Sequence, residues 1–488
     1  MNVHRTRETD VLVVGGGLVG LTTALVLRHH GAAVTLVETR STTSAQPKAR
    51  RFHVRSMEVF RELGLAPTVH EAARDLAGHD HMALGRTLAE AEQQPLWRPG
   101  GADGVDVSPE PPCLLAQDAL EPVLRDAAAD AGADIRFGTA LTGFDQDGSG
   151  VRADLQGRPL RARHLVAADG ARSSVRAALG IGRSGRGAIG DPSVSVYFRA
   201  DLADVVRGRE FNLCRIEHPD APGALASVDG RSRWVLLTAG TRTDRDWPAF
   251  LRTALGVPAA DLEVLSVLPW QAEMLVADRY SAGRVHLAGD AAHVMPPFAA
   301  MGANTGISDV HELGWKLAAV LRGDAAPALL DSYDAERRPA GWFTADQSTR
   351  RATDPGAADL AHPFVLAAGG YQYRDGALHR SPGDAHDVEP VHEFAPAGRV
   401  GTRVPHRWLD EAHTRSTVDL AGPGWALLVA GDPQSWAAAA PLPVHRLDAD
   451  FLPSGQALLL RPDDVVAWRG TDVTAPRRVL EDLLHPSA

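Results

Sequence analysis

The most constraining feature of this chain is a glycine cluster near its start, Gly15–Gly20, which reads Gly-Gly-Gly-Leu-Val-Gly. It directly follows a short apolar run, Asp10–Val14, and precedes a segment with apolar residues at helical spacing, Leu21–Leu27. A second apolar run, Val34–Val37, then ends at Glu38. A strand, a glycine turn, a helix and a second strand within roughly thirty residues are typical of the start of a βαβ unit. The sequence therefore predicts an α/β fold with a parallel sheet.

Each glycine of this Gly-x-Gly-x-x-Gly spacing has its own role in binding a dinucleotide. Gly15 allows the tight turn, Gly17 lets the backbone approach a pyrophosphate, and Gly20 allows close packing of helix on strand. The helix that starts at Leu18-Val19 presents free N–H groups and the positive end of its dipole to the phosphates. Glu38 is placed to accept hydrogen bonds from a ribose, and its carboxylate would repel an additional 2′-phosphate. These residues predict a Rossmann-type site for FAD or NAD.

The same spacing occurs a second time, at Gly185–Gly190. No apolar strand precedes this second string, and Asp191-Pro192 prevents a helix from following it. We therefore predict that it is a glycine-rich turn that binds no cofactor.

Two later strands are predicted to end in a glycine and an aspartate. His164–Ala168 leads into Asp169-Gly170, and Val285–Ala288 leads into Gly289-Asp290. Both aspartates would lie at the carboxyl ends of strands, where open α/β sheets bind their ligands. The sequence thus predicts two further contacts to the same ligand.

Taken together, these three segments resemble the signatures of class A flavin monooxygenases, the para-hydroxybenzoate hydroxylase group. The resemblance implies that FAD is the cofactor, that Asp290 binds its ribityl chain, and that Asp169-Gly170 lies between FAD and the nicotinamide donor. Gln117 matches a glutamine that contacts the FAD pyrophosphate region in that family. The candidate cofactor-binding residues are Gly15, Gly17, Leu18, Val19, Gly20, Glu38, Arg40, Lys48, Gln117, Leu141, Asp169, Gly289, Asp290, Pro297, Gly302, Ala303 and Asn304.

The segment beside the flavin ring departs from the family pattern in several places. Lys48 stands where an arginine is usual, Ala299-Ala300-Met301 replaces the usual glycines, and His311 stands where an asparagine is common. A long helix is predicted from about Asn304 to Leu321, with an asparagine cap. Its positive end would face the flavin edge that becomes negative on reduction.

The resemblance also implies a domain organisation. We expect a discontinuous FAD-binding domain at residues 1–180 and 276–395. A linker-like passage at 352–400 is expected across its end and the start of the next unit. A mainly β substrate-binding insertion is expected at 181–275, with part of 78–112. Residues 396–488 resemble the thioredoxin-like C-terminal domain of the phenol- and polyketide-hydroxylase branch. Both cysteines lie outside that unit, so it is expected to provide structural support or a dimer contact.

The function implied is an FAD-dependent, NAD(P)H-consuming monooxygenase that hydroxylates a phenolic or quinonoid ring. The closest group is the aromatic-polyketide hydroxylases of antibiotic pathways, in which a flavin C4a-hydroperoxide delivers the oxygen. Arg50, Tyr197 and His293 are candidate acid or base residues, although each is expected to be structural. The alternatives are Baeyer–Villiger insertion into a polyketide ketone and a non-catalytic flavoprotein.

Composition excludes several other classes. The formal net charge is −11, which disfavours nucleic acid and anionic membranes as partners. Two cysteines cannot form a disulfide framework, which favours a reducing cytoplasm. The sequence shows no metal-ligand spacing, no membrane-spanning run and no secretory signal. The expected partners are a small aromatic substrate and O2, and the expected state is a monomer or homodimer.

Overall fold

The computed structural model describes residues 7–94, 106–380 and 394–486. Its strands are β1 (Arg7–Val14), β2 (Val34–Glu38), β3 (Arg51–Phe52), β4 (Met82–Gly85), β5 (Glu92–Gln94), β6 (Cys113–Leu114), β7 (Asp134–Phe137), β8 (Gly143–Asp147), β9 (Gly150–Leu155), β10 (Arg158–Ala167), β11 (Arg183–Arg199), β12 (Leu213–Ile216), β13 (Gly223–Ser227), β14 (Arg233–Ala239), β15 (Glu263–Ala277), β16 (Ser281–Ala282), β17 (Val285–Leu287), β18 (His293–Val294), β19 (Ala426–Val429), β20 (Val444–Arg446), β21 (Ala457–Leu460) and β22 (Val466–Gly470).

The helices of the same ranges lie mainly on the faces of these sheets. They are α1 (Leu18–His29), α2 (Val54–Glu62), α3 (Ala66–Ala72), α4 (Gln117–Asp130), α5 (Ser174–Ala178), α6 (Ala203–Val206), α7 (Trp247–Leu255), α8 (Met301–Arg322), α9 (Asp331–Thr353), α10 (Pro363–Ala367), α11 (Pro433–Ala439) and α12 (Ala475–Leu484).

The first sheet carries the glycine cluster and confirms the predicted α/β fold. Its strand order is β16-β17-β10-β1-β2-β7, and β9 and β8 continue from β10. β1 is parallel to both β10 and β2. Val11–Val13 are completely buried, as expected for a central parallel strand covered on both faces. Helix α8 packs closely on α1, where a Cβ added at Gly314 would lie 2.4 Å from Val26 Cγ1.

The second sheet is antiparallel over most of its width, in the order β18-β15-β11-β14-β13-β12-β4-β5. One face is buried against α6 and α7 by a cluster that includes Val196, Trp234 and Leu236. β4 joins the sheet by parallel pairing with β12, and β5 then pairs with β4. This sheet is the mainly β insertion of the predicted fold.

The C-terminal unit has its own four-stranded sheet, in the order β20-β19-β21-β22. β19 is parallel to β20 and antiparallel to β21, which is antiparallel to β22. This arrangement agrees with the predicted thioredoxin-like fold. The unit docks on the first domain, which is built around the first sheet, through buried ion pairs. Arg55 Nη1 lies 2.9 Å from Asp464 Oδ2, and Arg461 Nη1 lies 2.8 Å from Glu336 Oε2. These ion pairs are consistent with the expected role of the C-terminal unit as a structural support.

Three local expectations are wrong. Gly185–Gly190 lies inside β11 and forms an irregular strand, not a turn, because it pairs with β15 through register shifts. Helix α8 begins at Met301, three residues before the predicted start. The passage at 352–400 is not all linker, since α9 ends at Thr353 and α10 lies within it, while 381–393 fall outside the described residues.

Within the three described ranges, no helix combines the length and the apolar character that a transmembrane span requires.

Candidate FAD-binding and oxygenation site

The glycine cluster forms a tight connection from β1 to α1. Gly15 has φ +109°, and a Cβ there would lie 2.3 Å from the Ala168 carbonyl oxygen. A Cβ at Gly20 would lie 1.8 Å from the Gly15 oxygen, so both positions require glycine for close packing. At Gly17 the nearest atom to an added Cβ is Glu121 Oε1, at 3.6 Å. The space beside Gly17 is therefore available for a close approach of a ligand to the backbone.

Glu38 lies at the end of β2 and faces this turn. Its carboxylate accepts a hydrogen bond from Gly16 N at 2.7 Å and from Arg40 N at 2.8 Å. Arg40 Nε is 3.0 Å from the same carboxylate. Burial favours the neutral acid, but these hydrogen bonds outweigh it and lower the pKa of Glu38. Glu38 is thus an anion beside the turn, as ribose recognition requires.

A buried carboxylate that the sequence analysis did not select lies behind the turn. Glu121 is fully buried, and its Oε1 accepts hydrogen bonds from Leu18 N at 3.1 Å and from Gln117 Nε2 at 2.6 Å. Its Oε2 accepts from Ser44 N at 2.7 Å. Gln117 also accepts from Ala49 N at 3.2 Å. The Gln117–Glu121 pair therefore joins the start of α1 to the loop that follows β2.

The two glycine–aspartate segments lie on neighbouring strands of the first sheet, because β10 and β17 are paired in parallel. Asp169 Oδ2 accepts from Val175 N at 3.2 Å, while its buried Oδ1 has no partner among the described residues. Arg176 links the two segments by donating to the Ala171 and Ala291 carbonyls. Asp290 itself is exposed in the turn that follows β17. The protein that surrounds this carboxyl removes water from it and so raises its pKa, whereas His293 and Lys48 act in the opposite direction.

The loop before α8 has an unusual backbone. Ala299 and Ala300 both have left-handed backbone angles, with φ +56° and +55°. Alanine in this region costs on the order of 1–2 kcal/mol per residue. The loop is held by His53 Nε2, which is 2.6 Å from the Ala299 carbonyl, and by Ser348 Oγ, which donates to the Phe298 carbonyl at 3.0 Å. The alanines that replace the usual glycines thus occupy positions where glycine would be relaxed.

Asn304 does not cap α8, which corrects the predicted cap. Its side chain makes four hydrogen bonds: Oδ1 accepts from His53 N and Ser56 Oγ, and Nδ2 donates to the Arg51 and Ala300 carbonyls. These use the full capacity of an amide side chain. Asn304 therefore fixes α8 to the start of α2. The helix has no side-chain cap, so its N-terminal backbone N–H groups remain for a ligand.

The three candidate acid or base residues all have structural partners. Arg50 Nη1 donates to the Ser227 carbonyl at 2.6 Å, and burial lowers the pKa of Arg50 to about 10. Tyr197 is buried, and its hydroxyl accepts from Arg233 Nη1 at 3.4 Å. His293 is buried with Nε2 2.7 Å from Asp309 Oδ2.

The remaining candidate residues differ in their exposure. Lys48 and Pro297 are exposed, while Gly302 and Ala303 are partly exposed in the first turn of α8. Leu141 is partly buried and packs against the core of the first domain.

The combined features fit FAD. Glu121 already accepts the Leu18 N–H of α1. The other first-turn N–H groups of α1, the open space at Gly17 and the anionic Glu38 suit an adenosine pyrophosphate. The exposed Asp290 suits a polyol chain, and the uncapped start of α8 suits an anionic ring edge. We expect Glu38 and Asp290 to hold the two halves of the cofactor, with α1 and α8 supplying backbone donors.

Comparisons with known proteins agree with this geometry. Residues 8–348 match the FAD binding domain family, and residues 397–486 match the C-terminal domain family of aromatic-ring hydroxylases. The chain is 41% identical to tetracenomycin B2 monooxygenase-dioxygenase of Streptomyces olivaceus, over 98% of both chains. It is 37% identical to an aklavinone 12-hydroxylase of Streptomyces peucetius, over 89% of this chain and 94% of that protein. It also superposes on aklavinone-11 hydroxylase, solved with FAD and aklavinone, with a TM-score of 0.88, 32% identity, and coverage of 99% and 100%.

Proposed function

Because this chain belongs to the FAD-binding aromatic-ring hydroxylases and is an FAD-dependent monooxygenase, we propose that it hydroxylates a polycyclic phenolic or quinonoid ring of the aromatic-polyketide type. NAD(P)H is the electron donor and O2 the oxygen source. The relatives named for tetracenomycin and aklavinone support this substrate class. The observation in the structure that carries it is a partly open apolar row across the second sheet.

This row consists of residues that lie directly opposite one another on successive strands. Leu268 of β15 pairs with Ser195, Ser195 with Leu237, and Leu237 with Ala224. The row continues through the charged Arg215 to Leu84 of β4, so its apolar members are the three leucines and Ala224. Paired residues project from the same face of a sheet. Leu268 is 43% exposed and Leu84 is 37% exposed, so large apolar side chains line an open surface.

We infer that the β15 end of this row faces a cleft between the two domains. Ser266 of β15 is 3.2 Å from Gln46 Nε2 of the first domain. Leu275, near the other end of β15, pairs with Val294 just beyond the Gly289–Ala291 turn. Leu268 and Trp270 lie between these two contacts, so the surface they form faces the FAD-binding domain.

The cleft combines this apolar surface with a polar group. Trp270 projects from the same face as Leu268, and its buried Nε1 has no hydrogen-bond partner among the described residues. Phe298, which is 49% exposed, adds an aromatic side chain from the loop before α8. Apolar walls with a few polar groups are typical of small-molecule sites. A planar multi-ring substrate with oxygen substituents fits these requirements.

When bound, FAD takes electrons from NAD(P)H and activates O2 for insertion into the substrate. The residues of this chain bind and orient the reactants. The start of α8 stabilises negative charge at the ring edge, and the second sheet holds the substrate and excludes water from its apolar face. The second glycine string forms a strand and lacks the strand–turn–helix connection of a dinucleotide site. We infer that NAD(P)H approaches near Asp169–Arg176.

The experiment is a screen of NAD(P)H consumption against single-ring and polycyclic phenols. Oxidation should be slow without substrate and rise at least about tenfold with a bound polycyclic aromatic, about 1.4 kcal/mol of barrier. Poor substrates should stimulate NAD(P)H use while releasing hydrogen peroxide. Product mass and structure distinguish ring hydroxylation from Baeyer–Villiger insertion. Equal rates with and without every aromatic tested would contradict the proposal.

A variant pair tests the apolar row itself. Leu268→Gln should raise the KM for the best polycyclic substrate about tenfold, because the substrate loses most of its apolar contact with the leucine side chain. The FAD content should be unchanged. Leu480→Gln, on α12 of the C-terminal unit, is the matched control and should leave KM unchanged. An unchanged KM in the Leu268 variant would remove the sheet surface from the substrate site.

A further inference from the structure

Asp309 lies on α8, behind the turn that presents Asp290 to the cleft. Its carboxylate is completely buried. Oδ2 accepts a hydrogen bond from Gly289 N at 3.1 Å and lies 2.7 Å from His293 Nε2. One oxygen therefore contacts the chain on both sides of Asp290.

The other oxygen of Asp309 is held by a second helix. Arg337 of α9 is buried, and its Nε lies 2.9 Å from Asp309 Oδ1. The guanidinium also donates to the Thr305 carbonyl at 3.3 Å and to the Tyr373 hydroxyl at 2.8 Å. Burial favours the neutral acid, but His293 and Arg337 outweigh it and lower the pKa of Asp309. Asp309 is therefore a buried anion with a fixed orientation.

The turn itself has little freedom to adopt another position. Gly289 has φ +59°, and a Cβ there would lie 2.8 Å from Val19 Cγ2. On the opposite side, a Cβ at Gly306 would lie 3.1 Å from Gly289 Cα. The turn is packed between α1 and α8, and Asp309 fixes its backbone N–H. The packing leaves the turn one position, and the Gly289 N–H bond to Asp309 sets how Asp290 projects from it, so a change in this carboxylate should reorient the Asp290 side chain.

We propose that Asp309 is a positioning residue for FAD, which sets the Asp290 carboxyl for the ribityl chain while Arg337 holds Asp309 in place. Asp309 itself touches neither cofactor nor substrate in this arrangement. The proposal deepens the proposed function and rests on FAD binding at Asp290. If Asp309 had only a structural role, its replacement would lower the stability of the fold without a specific effect on FAD binding at Asp290.

The test is a double-mutant cycle between Asp309→Asn and Asp290→Ala, with FAD affinity measured by titration of the apoprotein. Asp309→Asn keeps the size of the side chain but places an amide where donors from Gly289, His293 and Arg337 converge. We expect FAD to bind about ten to a hundred times more weakly and the visible circular dichroism of the bound flavin to change. In the Asp290→Ala background the same substitution should have little further effect, because its effect passes through Asp290.

Asp463→Asn is the matched control. Asp463 is a buried carboxylate paired with Arg461 in the C-terminal unit, and its replacement should lower stability while leaving FAD affinity and dichroism unchanged. Arg337→Lys provides the same readouts if Asp309→Asn does not fold. Wild-type affinity in the folded variant, or fully additive losses in the cycle, would overturn the proposal. Failure of the wild-type apoprotein to bind FAD would instead overturn the proposed function.

Discussion

The two Gly-x-Gly-x-x-Gly strings have the same spacing and entirely different structures. The first connects β1 to α1, with Gly17 at φ −83° at the start of the helix. The second lies inside β11, where Gly185, Gly187 and Gly190 have φ values of +158°, +71° and +64°. The glycines of the second string belong to an irregular strand, and those of the first form a tight turn from strand to helix. The flanking sequence therefore determines what the glycines do.

The physical cause lies on both sides of each string. Val11–Val14 form a buried parallel strand before the first string, and Leu18–Leu27 form a buried helix after it. The second string begins after Arg183-Ser184 and is followed by Pro192, which cannot donate to a strand ladder. The register of β11 against β15 shifts between Ile189 and Ser193, around this proline. Three predictions test the contrast between the two strings, and a fourth tests the sheet that carries the first.

Gly20→Ala should have the largest effect. Its Cβ would lie 1.8 Å from the backbone oxygen of Gly15, and no flexible side chain can move to relieve the contact. We expect the purified protein to lose its bound flavin, measured as flavin absorbance per protein. Gly190→Ala, at the equivalent position of the second string, has no described atom within 4 Å of its Cβ and should retain the flavin. Full flavin content in the Gly20 variant would contradict the account of the turn.

Acid should destabilise the sheet that carries the first string. His164 and His286 lie on adjacent strands with His164 Nδ1 3.1 Å from His286 Nε2, and burial lowers their pKa values to about 4 and about 3. The fold keeps both imidazoles neutral, whereas an unfolded histidine takes up a proton near pH 6.5. Stability should therefore fall as pH decreases from about 6.5 to about 4, by up to about 3 kcal/mol for one imidazole.

The measurement is urea unfolding between pH 7 and pH 4. His286→Gln removes one titrating group and should show a smaller loss over this range. If wild type and variant lose the same free energy of unfolding, the histidine pair is not the cause.

Asp290→Ala should weaken FAD binding by about 1–3 kcal/mol, the range for a lost charge-assisted hydrogen bond. The measurement is titration of the apoprotein with FAD. Asp191→Ala, beside the second string, is the matched control because Asp191 is also an exposed aspartate that follows a glycine. Equal affinities for the two variants would show that Asp290 does not contact the cofactor.

The sequence predicts those parts of the site that depend on local patterns. The β1–α1–β2 unit, Glu38 at its end and the two aspartates at strand ends all follow from apolar runs and adjacent turns. Asp309 and Glu121 were not predicted, because each is a single acid within a helix. Their partners lie 20 and 103 residues away in sequence, so packing of the whole domain is needed to bring them together.

Asn304 illustrates a different limit. Its residue type and position suggested a helix cap, and the helix starts three residues earlier because Ala299 and Ala300 adopt left-handed angles. Nothing in the composition of an alanine pair indicates such a backbone. Contacts from His53 and Ser348, which are distant in sequence, hold it. Contacts with residues distant in sequence therefore stabilise a backbone conformation that alanine does not favour by itself.

The smallest effects provide the sharpest comparison, at the middle glycine of each string. Gly17 has an ordinary φ and space for a Cβ, so Gly17→Ala should leave the free energy of unfolding of the apoprotein nearly unchanged. Its methyl group would occupy the space that a phosphate approaches, and FAD should bind about tenfold more weakly, about 1.4 kcal/mol. Gly187 has φ +71°, so Gly187→Ala should cost about 1 kcal/mol of stability and leave FAD affinity unchanged.

The most direct test of the account is to measure both quantities, FAD affinity and apoprotein unfolding, for this one pair of variants. The account predicts a crossed result: Gly17→Ala loses affinity and keeps stability, and Gly187→Ala loses stability and keeps affinity. Loss of FAD affinity in Gly187→Ala, with normal affinity in Gly17→Ala, would contradict the assignment of the cofactor to the first string.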